Sequence, residues 1–256
     1  MDNIKSPENS DFKELIKKYS PFIKEIRKRI LLTLVVLAFS SILGFIFYDK
    51  IIRFLLDLLS LNGINIVFTS PFQFINLAIS CGVAAGLVIA VPFFIYQVLS
   101  FLKPALKFRE FKMVVKSLPL SIILFLCGFS FGFYIMKWQI KLFLEKSIAL
   151  GIGNILDVSS LISTVLLVSV FMGVAFQFPI IIFILMRLGF VKRRYLARQR
   201  MWIYVGSLFF TILLPADSIL ADVLLTMPLI VLFELLLLVA RVYDRKKPLI
   251  LEDKTE

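Results

Sequence analysis

The chain has 256 residues, of which 60% are hydrophobic and 27 are phenylalanine. This composition excludes an ordinary soluble domain, in which about half of the residues are apolar. Lys and Arg outnumber Asp and Glu by 29 to 17, and the sequence contains no His. Haem ligation and a Ser-His-Asp relay would therefore lack their usual side chain, and we expect no catalytic residues, no cofactor and no metal.

Six stretches of the sequence are apolar enough to predict membrane spans. A helix needs about 20 apolar residues to cross about 30 Å of hydrocarbon. The stretches cover residues 30–48, 71–102, 117–136, 158–186, 201–214 and 219–240. We therefore predict an all-α polytopic membrane protein with six transmembrane helices. The membrane domain would cover 21–240, between a polar N-terminal tail at 1–20 and a cytoplasmic C-terminal tail at 241–256.

The segments that connect these spans alternate in charge. One set, which includes both termini, carries 24 of the 29 Lys and Arg residues, and the other set carries 5. Because basic residues near span ends resist translocation, both termini are predicted to be cytoplasmic. Orientation and attraction to anionic lipid explain the net charge of +12, so we expect no nucleic-acid partner. A bacterial cytoplasmic membrane fits this layout, and an inner organellar or thylakoid membrane stays open.

The predicted spans are unequal in length. Residues 158–186 would form a helix of about 43 Å, which must tilt or kink, and Pro179 is the expected cause. Residues 201–214 reach only about 21 Å, and the last span is interrupted by Asp222 and Glu234. Short fifth and sixth spans joined by a tight turn imply local thinning of the bilayer or a water-accessible recess.

Two amphipathic segments are predicted at the membrane surface. Ser20 and Pro21 are typical of a helix cap and first helical position. Apolar residues then recur at helical spacing over residues 22–30, which predicts an N-terminal helix at the inner interface that continues into the first span. Residues 51–59 repeat the pattern and predict a short interfacial helix on the outer side.

An ordered set of motifs resembles one membrane-protein family. Residues 22–30 read FIKEIRKRI, similar to the H-L-x-E-L-R-x-R-L segment that opens TatC proteins. Further matches follow in the family's order: TSPF at 69–72, VPFFIYQVLSFLKPALKFREFK at 91–112, GVAFQFP at 173–179, LGFVKRRYLARQR at 188–200, PAD at 215–217 and MPLIVLFE at 227–234. The chain thus resembles TatC, the core subunit of the twin-arginine (Sec-independent) protein translocase.

The resemblance implies a receptor for twin-arginine signal peptides that exports folded proteins with the proton-motive force. It implies single-span partners of the TatA and TatB types, and self-association in the lipid bilayer. The positions that match the family's signal-peptide-binding residues are Glu25, Arg27, Phe101 and Glu110. Carboxylates suit this guest because they form bidentate, charge-assisted hydrogen bonds with guanidinium groups. Glu110 is the only acid between residues 101 and 116.

The resemblance also assigns roles inside the membrane. Gln177 and Pro179 match positions associated with docking of partner helices. Structural roles within the membrane fall to Pro71, Pro104, Asp217 and Glu234. The interval from Asp217 to Pro228 is one residue longer than usual, so either Asp217 or Asp222 fills the family's acidic position.

Each of these residues also has a simpler structural explanation. Glu25 precedes Lys28 and Arg29 by three and four residues, so a helical ion pair worth about 0.3–0.5 kcal/mol explains it without a ligand. Glu110 follows Lys107 by three residues, so an ion pair of the same kind would explain it. Gln177 could bond to a neighbouring span or to a carbonyl group that Pro179 frees. Glu234 could be solvated at the interface or part of the polar recess, and the prolines could only set helix shape.

Two other function classes were weighed. A secondary transporter would bind a small solute through polar groups inside the membrane, but the six spans show no three-plus-three repeat. An anchor subunit of a respiratory enzyme would need haem ligands that the sequence lacks. Neither class explains a lone glutamate in a basic loop.

Overall fold

The computed structural model describes residues 8–59, 65–67, 70–101, 118–151, 155–187, 191, 193–216 and 218–245. Over these ranges the chain is helical apart from two strands of three residues each and the short connections. The predictions for Pro104, Glu110 and Asp217 lie outside the described residues.

The described elements follow one another as nine helices and two strands. In chain order they are α1 (Glu8–Ile46), α2 (Tyr48–Leu59), β1 (Asn65–Val67), α3 (Pro71–Phe101), α4 (Leu118–Ala149), β2 (Ile155–Asp157), α5 (Val158–Ala175), α6 (Phe178–Arg187), α7 (Arg193–Arg198), α8 (Arg200–Ile212) and α9 (Ile219–Arg245).

Five helical segments in the described chain are long and apolar enough to cross a membrane. They are Ile23–Ile46, Pro71–Val98, Leu118–Ala149, Val158–Met186 and Ile219–Arg241. The all-helical membrane class predicted from the sequence is therefore confirmed. Helix α8 is apolar but has only 13 residues, so a sixth crossing stays a prediction.

Two predicted helix boundaries are wrong. The sixth predicted span is not short, because α9 is a continuous helix of 27 residues that includes Asp222 and Glu234. Asp222 lies in the first turn of α9, where an acid favours the helix N-terminus, and Glu234 is bound by Tyr204 and Arg200 of α8. Helix α1 begins at Glu8 rather than at Ser20. Residues 8–20 are rich in Glu, Lys, Leu and Ile, which favour helix enough to outweigh the single hydrogen bond that Pro21 removes.

Helices α1 and α3 pack closely against each other in antiparallel orientation. Three glycines at their contact leave room for the opposing backbone. An added Cβ at Gly86 would clash with Ser41 Oγ, and one at Gly44 would lie 2.6 Å from the Cβ of Ala85. Small residues are the usual means by which membrane helices approach each other. This contact fixes which face of α1 meets the C-terminal end of α3.

A second close contact joins α4 to α5 in the main core. A Cβ at Gly128 would lie 2.6 Å from the backbone oxygen of Met172, and one at Gly132 would lie 3.0 Å from the Cα of Ser169. Ile162 and Val168 of α5 are fully buried here. Helix α5 is therefore the central helix of the bundle, and it carries the turn that precedes α6.

Short strands join distant parts of the chain at one end of the bundle, which we call the strand end. Strand β1 pairs with β2 in parallel, with Asn65 opposite Ile155 and Val67 opposite Asp157. Asp157 Oδ2 accepts a 2.7 Å hydrogen bond from Gln73 Nε2, and its Oδ1 caps α5 by accepting from the Ser159 N–H at 2.9 Å. The sequence analysis did not predict these strands, since three residues are too few to show an alternating pattern.

Candidate functional site

A polar cluster centred on Arg29 lies at the opposite end of the bundle, which we call the basic end. Arg29 Nη2 and Nε donate to Glu25 Oε1 at 2.7 and 3.3 Å. Its Nη1 donates to the backbone oxygen of Gln97 at 3.0 Å and to the side-chain Oε1 of Gln97 at 3.2 Å. The guanidinium carbon lies 5.8 Å from the centroid of the Phe101 ring. We call Glu25, Arg29, Gln97 and Phe101 the Arg29 cluster.

Local helical spacing and the packing of α1 on α3 together build this cluster. Glu25 and Arg29 are four residues apart on α1 and so share one face. Gln97 and Phe101 are likewise four residues apart, in the last turns of α3. Solvent exposure increases across the cluster. Gln97 is 8% exposed, and the side chains of Arg29 and Glu25 are 21% and 41% exposed. The acid is therefore the accessible member.

The carboxylate of Glu25 has one oxygen engaged and one available. Both hydrogen bonds from Arg29 converge on Oε1. Within the described residues, Oε2 accepts no hydrogen bond. The helical ion pair offered as the simpler explanation of Glu25 is thus confirmed, and it still leaves an exposed acceptor for an incoming donor.

The predicted signal-binding residues do not all meet at this site. Glu25 and Phe101 both contact Arg29. Arg27 is exposed and lines a separate groove on α1 together with other basic and aliphatic side chains. The other described lining residues of that groove are Lys24, Lys28, Leu31, Leu32 and Val35. The sequence analysis missed Gln97, although its place one turn before Phe101 was a usable signal.

Gln177 is buried between helices of its own bundle. Its side chain is 2% exposed, and its Oε1 accepts a 2.7 Å hydrogen bond from Ser121 Oγ of α4. Its Nε2 donates to the Ser121 backbone oxygen at 3.0 Å and to the Gly173 oxygen at 3.5 Å. These contacts support the simpler explanation, in which the amide bonds to a neighbouring span.

The break between α5 and α6 explains why the backbone oxygen of Gly173 is available to the side chain of Gln177. The backbone N–H of Gln177 bonds to the Val174 oxygen at 2.9 Å instead of to Gly173, four residues back. Pro179 follows at the second position of α6, where its missing N–H prevents the regular ladder from continuing. The kink predicted for residues 158–186 is therefore confirmed as a helix break, and the side chain of Gln177 binds the carbonyl that this break frees.

Glu234 pairs with groups on α8. Its Oε1 accepts a 2.5 Å hydrogen bond from Tyr204 Oη and lies 3.6 Å from Arg200 Nε. Towards the strand end, the buried hydroxyls of Thr211 and Thr226 lie 2.7 Å apart. These polar contacts join α8 to α9 and account for an acid inside a long apolar helix.

Pro71 occupies the first position of α3, where a missing backbone N–H costs nothing. The preceding Ser70 N–H donates to Gln73 Oε1 at 3.3 Å, as in a capping box. This placement agrees with a structural role. In the part of the chain that the structure describes, no group of three or more His, Cys, Asp or Glu side chains could hold a metal.

Comparison with known proteins identifies the class to which this bundle belongs. The family model for the Sec-independent protein translocase protein (TatC) matches residues 21–228. TatCy of Bacillus subtilis (strain 168) is 30% identical over 231 residues, which cover 88% of this chain and 89% of that protein. TatC of Haemophilus influenzae is 35% identical over 158 residues, 62% of either chain. The chain belongs to the TatC family of Sec-independent protein translocase components.

A solved structure agrees with this assignment. A crystal structure of the twin-arginine translocase receptor TatC superposes with a TM-score of 0.77 at 26% sequence identity, covering 87% of this chain and 99% of that one. Membership in a translocase family means a transport role rather than catalysis. It also displaces the solute-transporter and respiratory-anchor alternatives.

Proposed function

We propose that this chain is the twin-arginine signal-peptide receptor and the core of a translocase that exports folded proteins with the proton-motive force. The observation that carries the proposal is the half-exposed carboxylate of Glu25, whose Oε1 is held by Arg29 and whose Oε2 accepts no hydrogen bond from the described residues. Elsewhere the basic end would repel a cationic guest. A fixed carboxylate reverses that preference locally and offers a guanidinium group a charge-assisted hydrogen bond.

Glu110 belongs to the same proposal, although its position is not described. A guest with two adjacent arginines needs two acceptors, and Glu110 is the sole acid in the segment that follows Phe101. Phe101 is the last described residue of α3 and precedes Glu110 by nine residues in the sequence. We propose that Glu25 and Glu110 each bind one guest arginine.

The direct test uses a signal peptide with a photoreactive group next to its paired arginines. Membranes that contain the chain should give a crosslink to residues near Glu25 or Phe101, and unlabelled twin-arginine peptide should compete. A peptide with two lysines in place of the arginines is the matched control. Equal crosslinking by both peptides would contradict the proposed recognition.

The orientation of the chain is part of the proposal and rests on the charge asymmetry of its segments. We expect the basic end in the cytoplasm and the strand end outside. In a chain whose Cys81 and Cys127 are replaced by Ala, a cysteine at the exposed Leu150 should react with an impermeant maleimide applied to intact cells. A cysteine at the exposed Tyr195 should react only after permeabilisation. The opposite labelling pattern would rule out the proposed orientation.

We further propose that TatA-type and TatB-type single-span proteins dock against the membrane face near the α5–α6 break. Gln177 and Pro179 would contribute indirectly, because the amide holds α5 against α4 and the proline fixes the direction of α6. A partner helix would then recognise the resulting shape. Association in lipid depends mainly on such close packing, since hydrogen bonds between helices average only about 0.6 kcal/mol.

Substitutions of Gln177 can distinguish a role in stabilising the bundle from a direct role in docking a partner helix. Gln177→Leu should lower the stability of the purified chain by about 1–2 kcal/mol, because Ser121 and Gly173 lose their partner. Gln177→Glu should be milder, since a protonated carboxyl both donates and accepts. The measurement is the midpoint of thermal unfolding in mild detergent, alongside co-purification of a single-span partner. A Gln177→Leu chain of full stability that loses its partner would indicate direct docking instead.

A further inference from the structure

Arg29 makes more contacts than an ordinary surface ion pair requires. Its guanidinium group bonds on one side to Glu25 and on the other to both oxygens of Gln97. One of these acceptors is a backbone carbonyl in the last turns of α3, so the contact does not depend on a flexible side chain alone. Phe101 lies against the same group. Arg29 is therefore held from α3 while it holds an acid on α1.

The position of Glu25 follows from this anchoring. An exposed glutamate on a helix surface samples several rotamers, and ordering such a side chain on binding lowers the affinity. Here Arg29 fixes Oε1 before any guest arrives and leaves Oε2 free among the described residues. The carboxylate is thus already ordered in the folded protein, and binding of a guest does not have to order it.

The same arrangement affects which cation the site accepts. Because Arg29 sits 2.7 Å from Oε1, it offsets much of the negative charge of Glu25. A guest lysine is a compact point charge and would gain less attraction from this pair than from a free carboxylate. A guest arginine can direct N–H groups at Oε2 and can stack its plane on neighbouring flat groups. The pair should therefore favour arginine over lysine more than a free carboxylate would.

We propose that Arg29, anchored by Gln97, is a positioning and specificity-determining residue for guanidinium recognition by Glu25. Arg29 does not bind the guest; it acts through the carboxylate that it orients. This inference rests on the proposed function, since it assumes that a guest arginine binds Glu25.

The test measures binding of two signal peptides, one with paired arginines and one with paired lysines, to the purified chain in nanodiscs. Arg29→Gln should lower the ratio of arginine to lysine affinities about tenfold, because the carboxylate is no longer oriented for a guanidinium group and, without the neighbouring positive charge, attracts lysine more strongly. Arg29→Lys keeps the charge but not the planar geometry, and should restore only part of the ratio. Lys141→Gln, which breaks the exposed pair with Glu145, is the matched control and should change neither affinity.

A double-mutant cycle distinguishes positioning from general support of the fold. If Arg29 acts through Glu25, Arg29→Gln should not change the ratio of arginine to lysine affinities any further in a Glu25→Gln chain. A further fall of the ratio in that chain would overturn the inference. Gln97→Leu provides a second route, since it removes one anchor of Arg29 and should also reduce the affinity ratio. It decides the question if Arg29→Gln does not fold.

The two hypotheses fail in different ways. If the unaltered chain binds both peptides equally, the proposed function fails and the inference fails with it. If the unaltered chain prefers the arginine peptide and Glu25→Gln removes that preference, the proposed function stands. In that case, an unchanged affinity ratio in folded Arg29→Gln and Gln97→Leu chains would overturn the role of Arg29 alone.

Discussion

Glu110→Lys is expected to abolish measurable binding of a twin-arginine signal peptide and, with it, export. In the proposed function, the substitution replaces attraction for a guest arginine with repulsion, in a segment at 101–116 that already carries five Lys and Arg residues. Loss of a close charge pair together with its reversal should lower the affinity at least about 100-fold. Binding of a labelled signal peptide to nanodiscs measures this directly.

Two further variants serve as comparisons for the loss of affinity in Glu110→Lys. Glu110→Gln keeps the size of the side chain and an acceptor oxygen, so its loss should be clearly smaller. Glu145→Lys reverses an exposed acid that pairs with Lys141 at 3.9 Å on α4, and should leave binding unchanged. Normal binding and export by Glu110→Lys would mean that the glutamate is only a solvated loop residue.

Gly128→Ala is expected to destabilise the bundle strongly, even though Ala favours helix over Gly. The new Cβ would lie 2.6 Å from the Met172 backbone oxygen and 2.6 Å from Cγ of Phe176. A backbone carbonyl in a central helix cannot move aside cheaply, so α4 and α5 must separate. Overpacking of this kind costs about 1–3 kcal/mol, and we expect the upper end of that range. The midpoint of thermal unfolding in mild detergent is the measurement.

Gly206→Ala is the matched control. Gly206 lies in α8, and an added Cβ there would meet nothing within 4 Å in the structure. The same chemical change should be neutral or stabilising by up to about 1 kcal/mol, because Ala favours helix over Gly. Equal destabilisation by the two variants would show that the α4–α5 contact does not determine stability.

Local and periodic features of this protein could be predicted from its sequence. Uninterrupted apolar stretches predicted the helices of span length, because hydrocarbon admits few other structures. Pro179 predicted the helix break, since a missing N–H acts on its own helix. The spacing of Glu25 and Arg29 predicted their ion pair, which depends only on the helical repeat. Each of these depends only on residues of a single continuous segment of the sequence.

Contacts between distant residues could not be predicted in this way. Arg29 and Gln97 are 68 residues apart, and Gln177 and Ser121 are 56 apart. No local pattern encodes such a pairing, because it results from how glycines let particular helices approach. The length of α9 was underestimated for the same reason. The acids of this segment predict an interrupted span, whereas Tyr204 and Arg200 bind Glu234 from another helix.

The pairing of β1 with β2 has a consequence for the order in which the chain is assembled. Val67 lies opposite Asp157, so the contact closes a loop that includes the whole of α3 and α4. The contact between Gln73 and Asp157 closes nearly the same loop. During synthesis, neither contact can form until α3 and α4 have been made and the start of α5 has followed. The strand end can therefore form only after the first 157 of the 256 residues have been made.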